Sequence, residues 1–270
     1  MINHDFHVHT AFSSDSEASM ESVVLKGIDL GLQTICFTEH MDMDFPIAPG
    51  GAKEFEVDTT AYRTEYCRLK ETYAKDITLK FGIEIGLQSY LGKRIHEYIN
   101  SYPFDFVIGS SHLLNGQDPY DGTMFKGHQE SKLYREYFEC ELENVQNIDD
   151  FDVYGHLDYI VRYGPNKNQF YNYEVYADLI DEILKILIEK GKGIEINTSG
   201  LSHGLGTPHP VIEIVKRYHE LGGEIITIGS DAHTPSHLVY RFTEAEKMLL
   251  SCGYRYYTIF SDRKPEFIKL

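Results

Sequence analysis

Short β-rich runs alternate with longer helical patterns along this chain, and that alternation constrains its fold more than any other feature. The runs are DFHVH near residue 7, TICFTEH ending at His40, ITLKFGIEIG ending near Glu84 and FDFVIGSSH ending at His112. They continue with FDVYGHLD around His156, GIEINTSG near Asn197, EIITIGSDAH through Asp231 and His233, and RYYTIF near residue 258. Their Ile, Val, Phe and Tyr content suits strands buried on both faces. Amphipathic stretches separate them. SMESVVLKGIDLG stops at Gly31, DTTAYRTEYCRLKETYAK opens on the capping residues Asp58 and Thr59, and YEVYADLIDEILKILIEKGKG stops at Gly191. SKLYREYFECELENVQ is a further long helix, and HPVIEIVKRYHELGG carries Pro210 near its first turn and ends at Gly222. Strand–helix repeats of this kind imply parallel strands joined by right-handed crossovers. The chain has 270 residues and no long linker, low-complexity tract or internal repeat. The expectation is therefore an α/β fold, a closed or distorted barrel of seven or eight strand–helix units rather than an open doubly wound sheet, with residues 1–270 as a single domain. No GxGxxG follows the first strand, so the dinucleotide-binding open sheet lacks its usual sign.

What ends each run points to chemistry. In a (β/α) barrel the carboxyl ends of all strands meet at one face. His7 and His9 are two apart, so in a strand both point the same way. His40, Glu84, His112, His156, Asp231 and His233 stand at later strand ends, and Asp15 joins from the first loop. One of these histidines alone is more often a hydrogen-bonded structural residue than a ligand. So many at strand ends is a different matter, and imidazole with carboxylate is a metal-binding set. One ion takes three or four protein ligands, so this set implies two or three ions with a carboxylate as a bridge. Cys36, Cys67, Cys140 and Cys252 form no CxxC pair and read as reduced, mostly buried thiols.

The net charge of −17 repels nucleic acid and acidic membranes. It leaves room for an anionic small substrate, because bound cations reverse the local field. MINHDFHVHT has neither a basic segment nor an apolar stretch, and no apolar run is long enough to span a bilayer, so a cytoplasmic protein is expected.

The order HxH, TEH, a glutamate closing the third strand, then GSSH, GHLD and SDAH resembles the PHP (polymerase and histidinol phosphatase) metallohydrolase family over nearly the whole chain. GHLDYIVRYG and EINTSGL resemble its histidinol-phosphate phosphatase branch. The resemblance implies a distorted (β/α)7 TIM-like barrel of seven strands and three divalent metal ions, zinc first and iron or manganese as alternatives. His7, His9, Glu84 and Asp231 would hold the first ion. Glu84 would bridge to a second, completed by His112 and His156, and Asp15, His40 and His233 would hold the third. Some family members have histidine where Asp15 stands, a difference expected to alter metal preference more than binding.

The activity implied is hydrolysis of L-histidinol phosphate to L-histidinol and phosphate in histidine biosynthesis, by a metal-bridging hydroxide attacking phosphorus in line. Three divalent ions, three carboxylates and one hydroxide leave the site near +2, about the charge that matches a phosphate monoester. Glu84, Asp231 and Arg162 carry the chemistry in this reading, with Arg162 as a phosphate clamp flanked by Tyr159 and Tyr163. Asp42, with Asp44 beside it, would receive the substrate amine. Asn197 and Ser199 would face the pocket. His203 or His209 would line the imidazole site or protonate the leaving alkoxide. His4, His96, His128, His219 and His237 read as structural or surface residues. The partner implied is a small-molecule phosphate monoester, with neither nucleic acid nor membrane, and homo-oligomer formation is left open. Two rivals stand. One is a family phosphoesterase acting on a nucleotide or other small phosphate ester. The other is a non-catalytic metal-binding module, which predicts a lost ligand, and none is missing.

Overall fold

The computed structural model describes residues 2–47 and 55–270. In chain order its elements are β1 (His4–Val8), α1 (Met20–Asp29), β2 (Thr34–Phe37), β3 (His40–Met41), α2 (Thr59–Thr72) and β4 (Thr78–Gly86). Next are α3 (Gly92–Ile99), β5 (Phe106–Ser110), α4 (Glu130–Asn147), β6 (Val153–Tyr154), α5 (Ala177–Glu189) and β7 (Gly193–Asn197). The chain continues through α6 (Ser199–Ser202), α7 (Ile212–Glu220), β8 (Ile226–Gly229), α8 (Phe242–Ser251), β9 (Tyr256–Ser261) and β10 (Lys264–Lys269).

Strands β1, β2, β4, β5, β6, β7 and β8 pair in that order, and every pairing is parallel. The two ends of this sheet meet. Asp231 N donates to His7 O at 2.8 Å and His9 N to Ala232 O at 2.9 Å, around a parallel bridge of Val8 with Ala232. The distorted barrel of seven strands that the family resemblance implies is the architecture observed. Buried tyrosines stitch its helices to its strands. Tyr62 on α2 donates to the carbonyls of Phe37 and Gly82, and Tyr137 on α4 donates to that of Ser111.

Local chemistry sets the element boundaries. Ser19 caps α1 by accepting from Ser22 N, and the Asp58 carboxylate caps α2 by accepting from Thr60 N and Ala61 N. Gly31 and Gly191, placed as helix stops, have φ of +73° and +66°, a region where glycine carries no Cβ penalty. TICFTEH does not run as one strand. It divides into β2 and β3 because Glu39 turns inward, where Thr10 N, Thr10 Oγ1 and Ser13 Oγ donate to its carboxylate. Pro210 lies outside α7, which begins at Ile212, while Val211 N donates to Asp158 Oδ2.

RYYTIF is not an eighth barrel strand. β8 already meets β1 and leaves no edge, so β9 folds back on β10 as an antiparallel hairpin across the amino-terminal end of the barrel. Its turn is held there by Arg263 Nε on Asp152 Oδ2 at 2.5 Å and by Asp262 N on Asp105 Oδ1 at 3.2 Å. Phe260 packs on Phe106, which meets Phe6 inside the barrel. All four cysteines are free. Cys36 and Cys252 are buried and Cys140 is half-buried, whereas Cys67 is exposed, which corrects the expectation of mostly buried thiols. Among the described residues no helix is long and apolar enough to cross a membrane.

Candidate active site

Glu84 stands at the centre of the carboxyl face. β4 carries it there fully buried, and its two oxygens face different rings. Oε1 lies 3.2 Å from His112 Nε2 and 3.0 Å from His156 Nε2. Oε2 lies 3.2 Å from His7 Nε2, 3.4 Å from His9 Nε2 and 3.0 Å from His40 Nδ1. Asp231, after β8, brings Oδ1 to 3.6 Å from His7 Nε2 and 3.4 Å from His9 Nε2. At the outer side, Asp15 Oδ2 lies 3.0 Å from His233 Nε2 and 3.5 Å from His40 Nε2.

The far sides of the rings decide what these distances mean. His7 Nδ1 faces Glu195 Oε1 at 2.6 Å and His112 Nδ1 faces Asp42 Oδ1 at 2.6 Å. His9 Nδ1 meets Ser13 Oγ at 3.2 Å, and Ser13 gives its own proton to Glu39. His233 Nδ1 lies 3.0 Å from the Asp231 carbonyl. Each partner accepts at that point, so each Nδ1 carries the proton and each Nε2 turns a lone pair inward. Carboxylate oxygens also bear only lone pairs. Acceptors face acceptors across the centre, and His7 Nε2, His9 Nε2, His40 Nδ1, Glu84 Oε2 and His233 Nε2 are buried with no hydrogen-bond partner. Buried groups of this kind are satisfied by hydrogen bonds or by cations. Three overlapping sets keep their ligand atoms within 4.8 Å of one another: His9, His40 and His233; His7, His9 and Glu84; His40, Glu84 and His112. This donor set fits divalent cations.

With the chain alone, the neighbouring carboxylates overcome burial and raise the His7, His40, His112 and His233 rings, His112 to about 10, so protons fill the positive role at the centre that cations would otherwise take. Burial pushes the Glu84 carboxyl up, but His7, His112 and His40 beside it hold it well below the usual carboxylate range. Burial likewise raises Asp231, and the neighbouring His7, His9 and His233 reverse this. Burial together with His40 and His233 lowers the His9 ring to about 3, so it stays neutral and able to ligate.

A cavity of about 980 Å³ opens over this cluster, lined by Asp15, His40, Glu84, His112, His156 and Arg162 among others. Arg162, in a short turn after β6, is 8% exposed. Its guanidinium lies over the Tyr159 and Tyr163 rings at 4.9 and 5.9 Å, and Nη2 donates to Ser199 Oγ at 2.6 Å. Its Nε has no hydrogen-bond partner.

The PHP domain family matches residues 5–199. A histidinol-phosphatase of Lactococcus lactis subsp. lactis (strain IL1403) is 34% identical over 261 residues, covering 96% of this chain and 95% of that protein. The chain belongs to the PHP family. A probable histidinol-phosphatase of Clostridium acetobutylicum is also 34% identical, over 249 residues, covering 92% of this chain and 93% of that one. The crystal structure of the Lactococcus lactis histidinol phosphate phosphatase, complexed with zinc, L-histidinol and phosphate, superposes with a TM-score of 0.89 at 31% identity over 98% of each chain. A putative histidinol phosphatase of Listeria monocytogenes shares the fold, with a TM-score of 0.77 at 20% identity over 89% of this chain and 98% of that one. Asp231 and His233 lie beyond the matched PHP segment, yet the barrel brings both back to His9, just past β1.

Within this PHP barrel the structure gathers all nine residues read as ligands at one mouth. Residues assigned to the substrate divide. Ser199 and His203 line the cavity with Arg162. Asn197 does not. It is fully buried, donating to Glu195 Oε2 at 3.2 Å and Asp231 Oδ2 at 3.3 Å, and its oxygen accepts from Ser199 N. It ends β7 facing the barrel interior, where it cross-links neighbours. Asp42 reaches the cavity wall, but His112 occupies its Oδ1 and only 3% of the residue is exposed. Asp44 instead pairs with Arg94 at 2.6 Å. His209 lies behind the wall, its Nδ1 against Asp158. His203 Nδ1 donates to the Ser199 carbonyl at 2.8 Å, which leaves Nε2 an acceptor and disfavours it as the acid for a leaving alkoxide. Sequence reasoning missed Glu195, Ser13 and Glu39, which orient the rings. It also missed His237 and Tyr240 at the mouth. The alternation in GIEIN put Glu195 and Asn197 on one face and could have found Glu195.

Proposed function

We propose that this chain is a metal-dependent phosphomonoesterase that hydrolyses L-histidinol phosphate to L-histidinol and phosphate. The observation that carries the reading is the ring of inward-facing, unpartnered nitrogen and oxygen atoms around Glu84, with the Arg162 guanidinium on the same cavity. Relatives of the same length named histidinol-phosphatase, and the zinc, L-histidinol and phosphate bound to one of them, support the substrate.

His7, His9, Glu84 and Asp231 would hold one ion, Glu84, His112 and His156 a second, and Asp15, His40 and His233 a third. Zinc is the first choice, because imidazole with carboxylate suits it, and iron and manganese accept the same donors. When bound, divalent ions supply Lewis acidity, a water of lowered pKa and a clamp on phosphoryl oxygens.

The protein's own groups do the rest. Glu84 and Asp231 stay ionised and fix the rings in one place. Arg162 faces the cavity and takes a phosphoryl oxygen through a charge-assisted hydrogen bond, its plane held by Tyr159, Tyr163 and Ser199. The tyrosine wall on that side narrows access for water. Ser199 and the Nε2 acceptor of His203 line the wall where the alcohol portion leaves. No side chain is required as a nucleophile. A cytoplasmic enzyme acting on a small phosphate monoester fits the charge of the chain.

The test is phosphate release by protein loaded separately with zinc, manganese or iron, from L-histidinol phosphate and a panel of nucleoside phosphates. A preference for L-histidinol phosphate of at least tenfold in kcat/KM is expected. Preference for a nucleotide would assign the site to the other substrate class, and metal-loaded protein inert toward every ester would make it a binding module.

A further inference from the structure

Two carboxylates sit behind the cluster and take no part in the nine-residue set. Asp42 Oδ1 holds His112 Nδ1 at 2.6 Å, and Glu195 Oε1 holds His7 Nδ1 at 2.6 Å. The rings they hold approach opposite oxygens of Glu84, His112 at Oε1 and His7 at Oε2. The second oxygen of Glu195 accepts from His156 N at 3.0 Å and so also fixes the backbone of another ring.

Each carboxylate rests in a space that only glycine leaves. A Cβ on Gly86 would fall 2.0 Å from Asp42 Oδ1. A Cβ on Gly229 would fall 2.4 Å from Glu195 Oε1 and 2.2 Å from His7 Cβ. Neither glycine has positive φ, so the backbone does not require glycine at either place. The requirement is for room.

We infer that Asp42 and Glu195 are positioning residues, which aim His112 and His7 at the two sides of Glu84 from cradles kept open by Gly86 and Gly229. For Asp42 this replaces a role in receiving the substrate amine. It rests on the reading of the cluster as a metal centre. A carboxylate bonded to Nδ1–H fixes the tautomer, stops the ring from turning and raises the basicity of Nε2.

The experiment compares wild type with D42A, D42N, E195A and G86A. Zinc retention is measured by chelator competition. kcat/KM is measured on L-histidinol phosphate and on phenyl phosphate, which has no amine. D42A and E195A are expected to lose 10- to 100-fold in zinc affinity, the range found when such partners are removed. Activity on the two esters should fall by the same factor. D42N keeps an oxygen for His112 Nδ1–H and should recover most of the loss. G86A should reproduce the D42A defect with Asp42 still in place. Wild-type zinc retention in D42A or G86A would overturn the inference. So would a loss confined to the amine-bearing ester, which would make Asp42 a substrate contact. Should D42A not fold, judged by circular dichroism, D42N and G86A decide. Wild type that binds no zinc would overturn the metal-centre reading itself, a result separate from any of these.

Discussion

Ser110 donates a hydrogen bond to Glu84 Oε1 at 2.7 Å from the neighbouring strand. That oxygen is the one facing His112 and His156, so Ser110 fixes which of its lone pairs point at the rings. Ser110→Ala should leave the barrel intact and loosen Glu84. About a tenfold loss in zinc affinity is expected, with a stability change of about 1 kcal/mol. Chelator competition reads the first and urea unfolding the second.

Glu84 itself contacts rings on both sides, so its loss should be felt by more than one ion. Under the proposed three-ion assignment, Glu84→Ala is expected to release two ions and abolish phosphate release. Elemental analysis of the gel-filtered protein measures the first, and circular dichroism checks that the chain still folds. Full activity in this variant would remove the shared carboxylate from the account.

Arg162 is buried, lies against the Tyr159 and Tyr163 rings and carries an unpartnered Nε. Arg162→Ala should lower kcat/KM on any phosphate ester by 10²- to 10³-fold, about 3–4 kcal/mol, as loss of a buried charge contact does. Arg162→Lys should recover little, because an ammonium cannot present the planar guanidinium face to Tyr159 or two donors to phosphate. Zinc content should stay at the wild-type level in both, which atomic absorption would show.

Glu141 on α4 is fully buried, and neither carboxyl oxygen has a hydrogen-bond partner. Burial, with Asp158 nearby, pushes its carboxyl well above the usual range. The folded chain therefore keeps this proton at pH values where the unfolded chain has released it. With fewer protons on the unfolded state, stability falls as pH rises above about 4.5, by at most about 1.4 kcal/mol per pH unit, until the folded group ionises. Glu141→Gln removes this dependence. Urea unfolding at pH 5 and pH 8 should show a smaller drop in the variant than in wild type. Equal drops would show that Glu141 does not hold the proton.

The gathering of these nine residues was legible because strand ends in a barrel converge whatever the loops do. Alternation fixed the face, and HxH, TEH, GSSH and SDAH marked where each strand stops. The outer residues were harder. Asp42 is two residues beyond His40, a spacing equally fit for a rim carboxylate, and only the packing against Gly86 shows that it turns back to His112. Asn197 follows the same face rule as these residues but pairs with Gly229, two residues short of Asp231, and so lies below the mouth. RYYTIF has the composition of a central strand. Whether it joins the sheet depends on whether β1 is already taken by β8, a contact between distant segments that no local pattern records.

The closure between β1 and β8 also sets an order of assembly. Ser230 bonds Asp5 across 225 residues. While a nascent chain is leaving the ribosome, β1 can pair with β2 but keeps its other edge bare until β8 emerges. Long-range pairing of this kind is slow and leaves strand edges exposed to neighbours. Asp231 and His233 follow that same strand, so a chain made only as far as β7 has no completed mouth, and the proposed metal centre cannot form before β8 has emerged and closed on β1.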